Sequence, residues 1–135
     1  MEKKIKHLEF IQNTINRMAN NSFLLKGWSI TVSGGLFALI LKNINYLYLI
    51  FALLVTIIFW FLDGYYLSHE RLFIKLYEKV SLDSEDEVSF SMNISTHKKP
   101  CDWLRAIFSK TTFIFYGSLL LIQLFTTYAF LSKQL

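Results

Sequence analysis

The stretch NINYLYLIFALLVTIIFWFL, residues 43–62, decides the fold. It carries no charge, and the first ionisable side chain after it is Asp63. A helix rises about 1.5 Å per residue, so a run of this length matches the ~30 Å hydrocarbon core of a bilayer. Working outward, residues 22–41 form a second such run, interrupted only by Lys26 one turn inside its start, and residues 111–131 form a third with no charge at all. A soluble core helix could account for one run. Three of them in 135 residues leave no polar surface to cover them. Lysine at the depth of Lys26 can snorkel, its stem in the apolar layer and its ammonium at the headgroups.

The totals agree. Apolar residues make up 53% of the chain and charged residues 18%, which is low for a globular protein, and the mean hydropathy is +0.37. The single cysteine, Cys101, excludes an internal disulfide; with no Cys or His pair at metal spacing it reads as structural. Lys3, Lys4 and Lys6 resemble the start of a signal peptide, but Gln12, Asn13, Asn16, Arg17, Asn20 and Asn21 break up the residues after them, so none is expected.

Lysine and arginine placement sets the direction of threading. Lys3, Lys4, Lys6, Arg17 and Lys26 lie at one end of the first span. Arg71, Lys75, Lys79, Lys98, Lys99, Arg105 and Lys110 lie between the second and third. Only Lys42 and Lys133 fall on the other side. The amino terminus is therefore expected in the cytoplasm, and the carboxy terminus on the opposite side of the membrane. Trp28, Tyr46, Tyr48, Trp60, Tyr65, Tyr66 and Trp103 sit mostly near the span ends, as an aromatic belt would. The link Lys42-Asn43-Ile44-Asn45 is too short to do much outside, so the working parts are expected on the cytoplasmic side.

Those parts show two periodicities. Ile5, Leu8, Ile11, Ile15 and Met18 recur at three- and four-residue spacing and predict an amphipathic helix, lying on the bilayer or, preferably, against a neighbouring subunit. After the second span the helix should continue, with Leu72, Phe73, Leu76 and Val80 on one face. Arg71, Lys75 and Lys79 form a basic strip that suits either a solvated face or a ligand surface. An acidic turn at residues 81–87 comes next. Residues 88–95 then alternate apolar and polar, which predicts a short strand. A lone strand is unstable, and its cheapest partner is the same strand in another copy. Pro100 fits a helix start and Asp102 a cap. The fold expected is an all-α integral membrane protein: three transmembrane helices, an N-terminal amphipathic helix and a small cytoplasmic region with one short β-strand. The divisions are residues 1–21, a hairpin at 22–67, a ligand or assembly region at 68–110 and a third span at 111–135.

No catalytic constellation is present: no phosphate loop, dinucleotide fingerprint or HExxH, and His7, His69 and His97 lie in different segments. The 83–87 carboxylates lack the spacing and glycine of an EF-hand. The reading is of a protein that is not an enzyme, with no cofactor and no metal. Polar groups inside the spans are the better pointers, because lipid cannot satisfy them. Tyr116, Gln123 and Thr127 share one face of the third span and suit interhelical hydrogen bonding or the wall of a hydrated pore. Asp63 suits a plain interfacial carboxylate or, in a ring of copies, an acidic collar that attracts cations. The Ser33-Gly34-Gly35 patch permits close helix approach. Three helices enclose no useful channel, so any pore needs several subunits.

Three runs also carry a resemblance. They are residues 7–23 continuing into Lys26-Gly27-Trp28-Ser29, residues 59–67 leading into Glu70-Arg71-Leu72-Phe73, and Phe90-Ser91-Met92-Asn93. Together they make nearly the whole chain similar to a family of small bacterial anti-phage membrane effectors, among them the membrane effector of the Hailong defence system. That resemblance implies a homo-oligomeric ion channel, a tetramer being one candidate. Its partner nucleotidyltransferase would make an inhibitory oligodeoxyadenylate that holds the channel shut from the cytoplasmic side, and loss of the ligand would depolarise the cell. Candidate ligand contacts are Arg71, Lys75, Lys98, Lys99 and Arg105, with Phe73, Tyr77, Phe90 and Trp103 as nearby aromatic platforms, since basic groups beside aromatics suit a short single strand. Pore or gate candidates are Asp63, Tyr116, Gln123 and Thr127. The competing expectation is a non-channel membrane anchor or accessory subunit that docks a soluble partner.

Overall fold

The computed structural model describes residues 2–43, 45–87, 89–99 and 102–135. Readings that rest on Ile44, Val88, Pro100 or Cys101 lie outside the described residues. Four helices follow one another: α1 Glu2–Lys42, α2 Tyr46–Leu82, α3 Asp102–Ile107 and α4 Lys110–Gln134, with single 3-10 turns at Glu85–Glu87 and Ser95–His97. Three of them, α1, α2 and α4, are long and apolar enough to cross a membrane. The chain is a membrane protein by that measure.

The amphipathic segment and the first span are one continuous helix of 41 residues, and the second span runs on without a break to a length of 37 residues. No proline interrupts either junction, and Gly64 at the second is accommodated within the helix, so helix propagation, which adds one hydrogen bond per residue fixed, carries through both. Both helices therefore extend well past bilayer thickness. They pair antiparallel along their full length. Lys4 donates to the Ser81 and Asp83 carbonyls (both 2.8 Å), Lys26 meets Asp63, and Ser33 meets Thr56. Asn45 caps α2, its side chain accepting from the Leu47 amide at 3.0 Å.

The apolar stripe of α1 has its partner within the chain. Ile11 and Ile15 pack with Phe73, Leu76 and Val80 of α2, and Leu8, Met18 and Tyr77 border the cluster. The expectation of a bilayer surface or a neighbouring subunit is corrected: the helix extension of α2 is nearer and presents the matching stripe. Ile5 alone of the stripe stays exposed.

The expected β-strand at 88–95 is corrected as well. Among the described residues there is no strand. The alternation is real, but it serves packing: Met92 and Ile94 lie on the same α1–α2 cluster while Ser91, Asn93 and Ser95 face outward. Local bonds replace a ladder. The Asn93 carboxamide accepts from the Ser95 amide (2.9 Å) and hydroxyl (2.6 Å), and the Ser91 hydroxyl accepts from the Asn93 amide (3.3 Å). Phe90 adopts φ 55°, which turns the chain out of extended geometry. The argument for self-association from an unpaired strand falls with it.

The third span returns beside the hairpin through a tight α3–α4 corner. The Thr112 hydroxyl lies 2.8 Å from the carbonyls of Ala106 and Ile107, and the Trp60 indole donates to Ile107 at 2.9 Å. Here Gly64 is needed: a Cβ on it would collide with the Ile107 side chain and stand 3.3 Å from the Ile107 Cα.

Candidate functional site

Two groups of polar residues stand out, one inside the helix bundle and one on the end that carries the helix extensions and most of the basic residues.

Inside the bundle, Asp63 is fully buried. Lys26 Nζ lies 2.5 Å from its Oδ2, and the Ser22 hydroxyl donates to its Oδ1. Lys26 also donates to Ser22 at 3.0 Å and stands 5.9 Å from the centre of the Phe115 ring. The ammonium turns inward to a carboxylate rather than outward to headgroups as the sequence suggested. A carboxylate as fully buried as Asp63 is costly without a paired cation, and Lys26 is the cation that meets it. Asp63 is consequently no exposed interfacial carboxylate in this subunit. Tyr116 of α4, also fully buried, stacks on Trp60 (centroids 6.1 Å apart, planes at 10°). Its hydroxyl faces Asp63 and Ser29 without a hydrogen bond of normal geometry.

Deeper in the bundle, one polar side chain from each long helix meets the others. Gln123 donates to Ser33 at 3.0 Å and to Thr56 at 2.7 Å, and all three are buried. Of the two roles open to the Tyr116, Gln123 and Thr127 face, Gln123 takes the interhelical one. Thr127 bonds its own helix, donating to the Gln123 carbonyl at 2.7 Å. Ser33 turns inward, while a Cβ on Gly34 or Gly35 would meet no atom of the described residues within 4 Å.

At the other end, two cavities of about 310 and 340 Å³ adjoin and share Ser68, Leu72 and Asp102. Arg71, Lys75 and Glu78 line the first; Lys98, Lys99, His69, Tyr65 and Trp103 line the second. The groove thus gathers four of the five basic candidates, with Arg105 exposed outside it. Its floor is the α2 face of buried Ser68 and Leu72. Lys98 and Lys99 reach it because Asp102, at the start of α3, accepts from the Lys99 amide at 2.7 Å and fixes the turn before the helix. Trp103 rests on Phe61 (5.5 Å) and Tyr65 on His69 (4.2 Å), giving the second cavity aromatic walls. Phe73 and Tyr77 are committed to the apolar cluster instead. Half-buried Glu70, beside the groove, has its carboxyl pushed up by burial; Arg71 and Lys26 oppose that shift and Asp63 adds to it.

The third basic residue of the strip, Lys79, faces a separate cavity of about 190 Å³ with His7, His97, Asp83 and Glu87. His7 and His97 thus share a cavity although they are ninety residues apart, and His7 Nε2 lies 3.1 Å from the Ser91 carbonyl. Among the described residues no set of three His, Cys, Asp or Glu side chains is placed to hold a metal ion.

Sequence reasoning missed the Lys26–Asp63 pair. The signal was available: Lys26 lies 16 residues before the 42–45 link and Asp63 18 residues after it, within one helical turn of level in an antiparallel hairpin. Comparison with protein-family models, with curated proteins and with solved structures finds no match.

Proposed function

We propose that this chain is an oligomeric, pore-forming membrane effector of bacterial anti-phage defence, gated from the cytoplasmic side by a nucleotide-type ligand. In this reading the groove end is cytoplasmic, the carboxy terminus is outside the inner membrane, and an oligodeoxyadenylate bound at the groove holds the channel shut. The observation that carries it is the convergence of Arg71, Lys75, Lys98 and Lys99 beside Tyr65 and Trp103, which are far apart in sequence and share one groove. Cations for phosphates next to aromatic faces for bases are what a short single strand needs. The resemblance to anti-phage effectors supplies the direction of gating, and the exposed apolar surface of the spans leaves room for lipid and further copies.

The test is expression of the chain without any partner enzyme, with membrane potential read by a voltage-sensitive dye. Depolarisation and growth arrest are expected; an unchanged potential rejects the pore. Charge reversal at Lys98 and Lys99 should weaken binding of a short oligodeoxyadenylate, with a shallower salt dependence, while reversal at Arg105 should do much less. Equal losses at all three would remove the groove as the binding site.

One observation favours the other reading, a non-channel anchor or accessory subunit. The third-span face that could line a pore is turned into the chain's own bundle, where Gln123 bonds Ser33 and Thr56. That reading predicts a stable complex with a soluble partner and no dye flux from liposomes.

A further inference from the structure

The short helix α3 holds one face against the chain and turns the other outward at the membrane boundary. Its depth is fixed by α2. The Ile107 side chain fills the space beside Gly64, the Trp60 indole donates to the Ile107 carbonyl at 2.9 Å, and the Trp103 indole donates to the Phe61 carbonyl at 3.3 Å. Residues 60–64 are where the uncharged run of the second span ends, one hydrocarbon thickness of ~30 Å from its start. α3 therefore lies at the level where acyl chains give way to headgroups. The Phe108 amide donates to the Leu104 carbonyl at 3.1 Å, so the helical turn runs on through Phe108. Ala106 and Ile107 are buried, and Leu104, Arg105 and Phe108 are exposed. Successive helix residues are turned by about 100°, which puts Leu104 and Phe108 about 40° apart on one edge of the outward face and Arg105 on the other edge. The apolar edge belongs to the hydrocarbon, because the Phe108 ring lies 6.2 Å from Trp60 and 6.3 Å from Phe113, both inside the spans. Arg105 consequently faces the headgroup side. Lys110, the exposed first residue of α4, stands across the corner that the Thr112 hydroxyl closes on the Ala106 and Ile107 carbonyls. Among the described residues no acidic side chain pairs with either cation.

We propose that the outer face of α3 is a binding site for an anionic phospholipid, with Leu104 and Phe108 among the acyl chains and Arg105, joined by Lys110, on the headgroup phosphate. Depth and charge together select the occupant. A cation at this level meets lipid phosphate before any soluble anion, and a guanidinium presents the planar fork that two phosphate oxygens fit. An apolar edge in the acyl boundary with a cation beside it is how an amphipathic element holds to an interface. A zwitterionic headgroup brings its own ammonium, which offsets the phosphate, so the site favours a headgroup with net negative charge. The inference stands apart from the reading of the groove, since Arg105 and Lys110 line neither of its cavities. It does bear on the groove's shape. Trp103, next to Leu104, walls the second cavity, and Asp102 holds the Lys99 amide at 2.7 Å. A lipid that anchors α3 steadies both.

The experiment uses the full chain in nanodiscs of equal parts phosphatidylcholine and phosphatidylglycerol. Native mass spectrometry counts the lipids that stay on the chain when the disc is stripped away. The wild-type chain should retain phosphatidylglycerol over phosphatidylcholine by about fivefold or more, the effect of one cation at a membrane surface. Arg105→Glu with Lys110→Glu should bring the ratio close to one, with thermal unfolding in phosphatidylcholine alone near that of the wild type. Arg105→Gln alone should lose part of the preference, and it reads the site if the double reversal fails to fold. Lys42→Glu with Lys133→Glu makes the same change in net charge at the other ends of α1 and α4 and should keep most of the preference. Equal retention of the two lipids by the wild-type chain overturns the proposal, as does an unchanged ratio in Arg105→Gln. A loss in the Lys42, Lys133 variant as large as in the Arg105, Lys110 variant overturns it too, because net charge then explains the retention. If Arg105→Gln instead weakens binding of a short oligodeoxynucleotide and leaves lipid retention unmoved, Arg105 belongs to a nucleic-acid site and the lipid site is rejected.

Discussion

The two halves of the α1–α2 hairpin are held together by opposite chemistries. Past the spans, Ile11 and Ile15 meet Phe73, Leu76 and Val80 in an apolar seam, with Lys4 bonding the Ser81 and Asp83 carbonyls only at its far end. Within the spans, the contacts that distinguish one helix face from another are polar: Lys26 and Ser22 with Asp63, and Ser33 and Thr56 with Gln123. The inversion tracks the solvent. In water, burying apolar area contributes about 25 cal/mol per Å², and a greasy stripe is enough to zip two helices. In lipid the tails are as apolar as leucine, so apolar contact alone does not select a partner, and hydrogen bonds, ion pairs and small residues specify the pairing. One continuous helix pair passes from the first regime to the second without a break in α1 or α2.

The comparison breaks most sharply at the ion pair. Asp63→Ala leaves the Lys26 ammonium mostly buried and unpaired, and thermal unfolding in detergent should report a loss of about 3–5 kcal/mol. The double change Lys26→Met with Asp63→Leu should recover most of that loss. If the double variant is as unstable as the single, the pair contributes more than its own neutralisation. On the apolar side, Ile11→Ala opens a fully buried site and should cost about 2–5 kcal/mol by the same assay, with enhanced proteolysis confined to the ends of α1 and α2 beyond the spans. A loss spread evenly over both halves would argue against two separate seams.

Smaller effects sharpen the same division. Gly64→Val must push α3 off α2, because Ile107 already occupies the space of a side chain; a cost of about 1–3 kcal/mol is expected, with increased labelling of Trp103 as the readout. Gln123→Leu should lower stability by only about 0.6–2 kcal/mol, since interhelical hydrogen bonds in membranes are modest. The least effect belongs to Glu70. Its carboxyl titrates above the ordinary 4.5 because burial disfavours the charged form. The folded chain therefore holds that proton more tightly than the unfolded chain does. The resulting stability is present below the ordinary pKa and is lost as pH rises through the raised one. Glu70→Gln should remove that slope in unfolding measured from pH 4 to pH 7 and be slightly stabilising at neutral pH; an unchanged slope would assign it to another carboxylate.

How far each half was legible depends on the range of the interaction that builds it. Of the apolar positions in the 88–95 alternation, Met92 and Ile94 do face the protein, Phe90 is exposed, and Val88 lies outside the described residues. The alternation failed as a strand because period two reports which side is covered, not what covers it. The basic candidates Arg71, Lys75, Lys98 and Lys99 were visible as charges on a helix and a turn. Their shared groove was not, because it depends on where the Asp102 cap turns α3 against α2.

By itself the order of residues determined that three segments are long and apolar enough to leave water and which faces of the extensions are apolar. Each of those is set by transfer free energy and helical period, which act over a few turns of one chain segment. Only the tertiary structure decided that Lys26 meets Asp63, that Gln123 joins Ser33 to Thr56 and that Tyr116 is buried against Trp60. Such contacts require the lateral rotation and depth of three helices at once. Hydropathy is blind to rotation about a helix axis, and packing at van der Waals distance is what sets it.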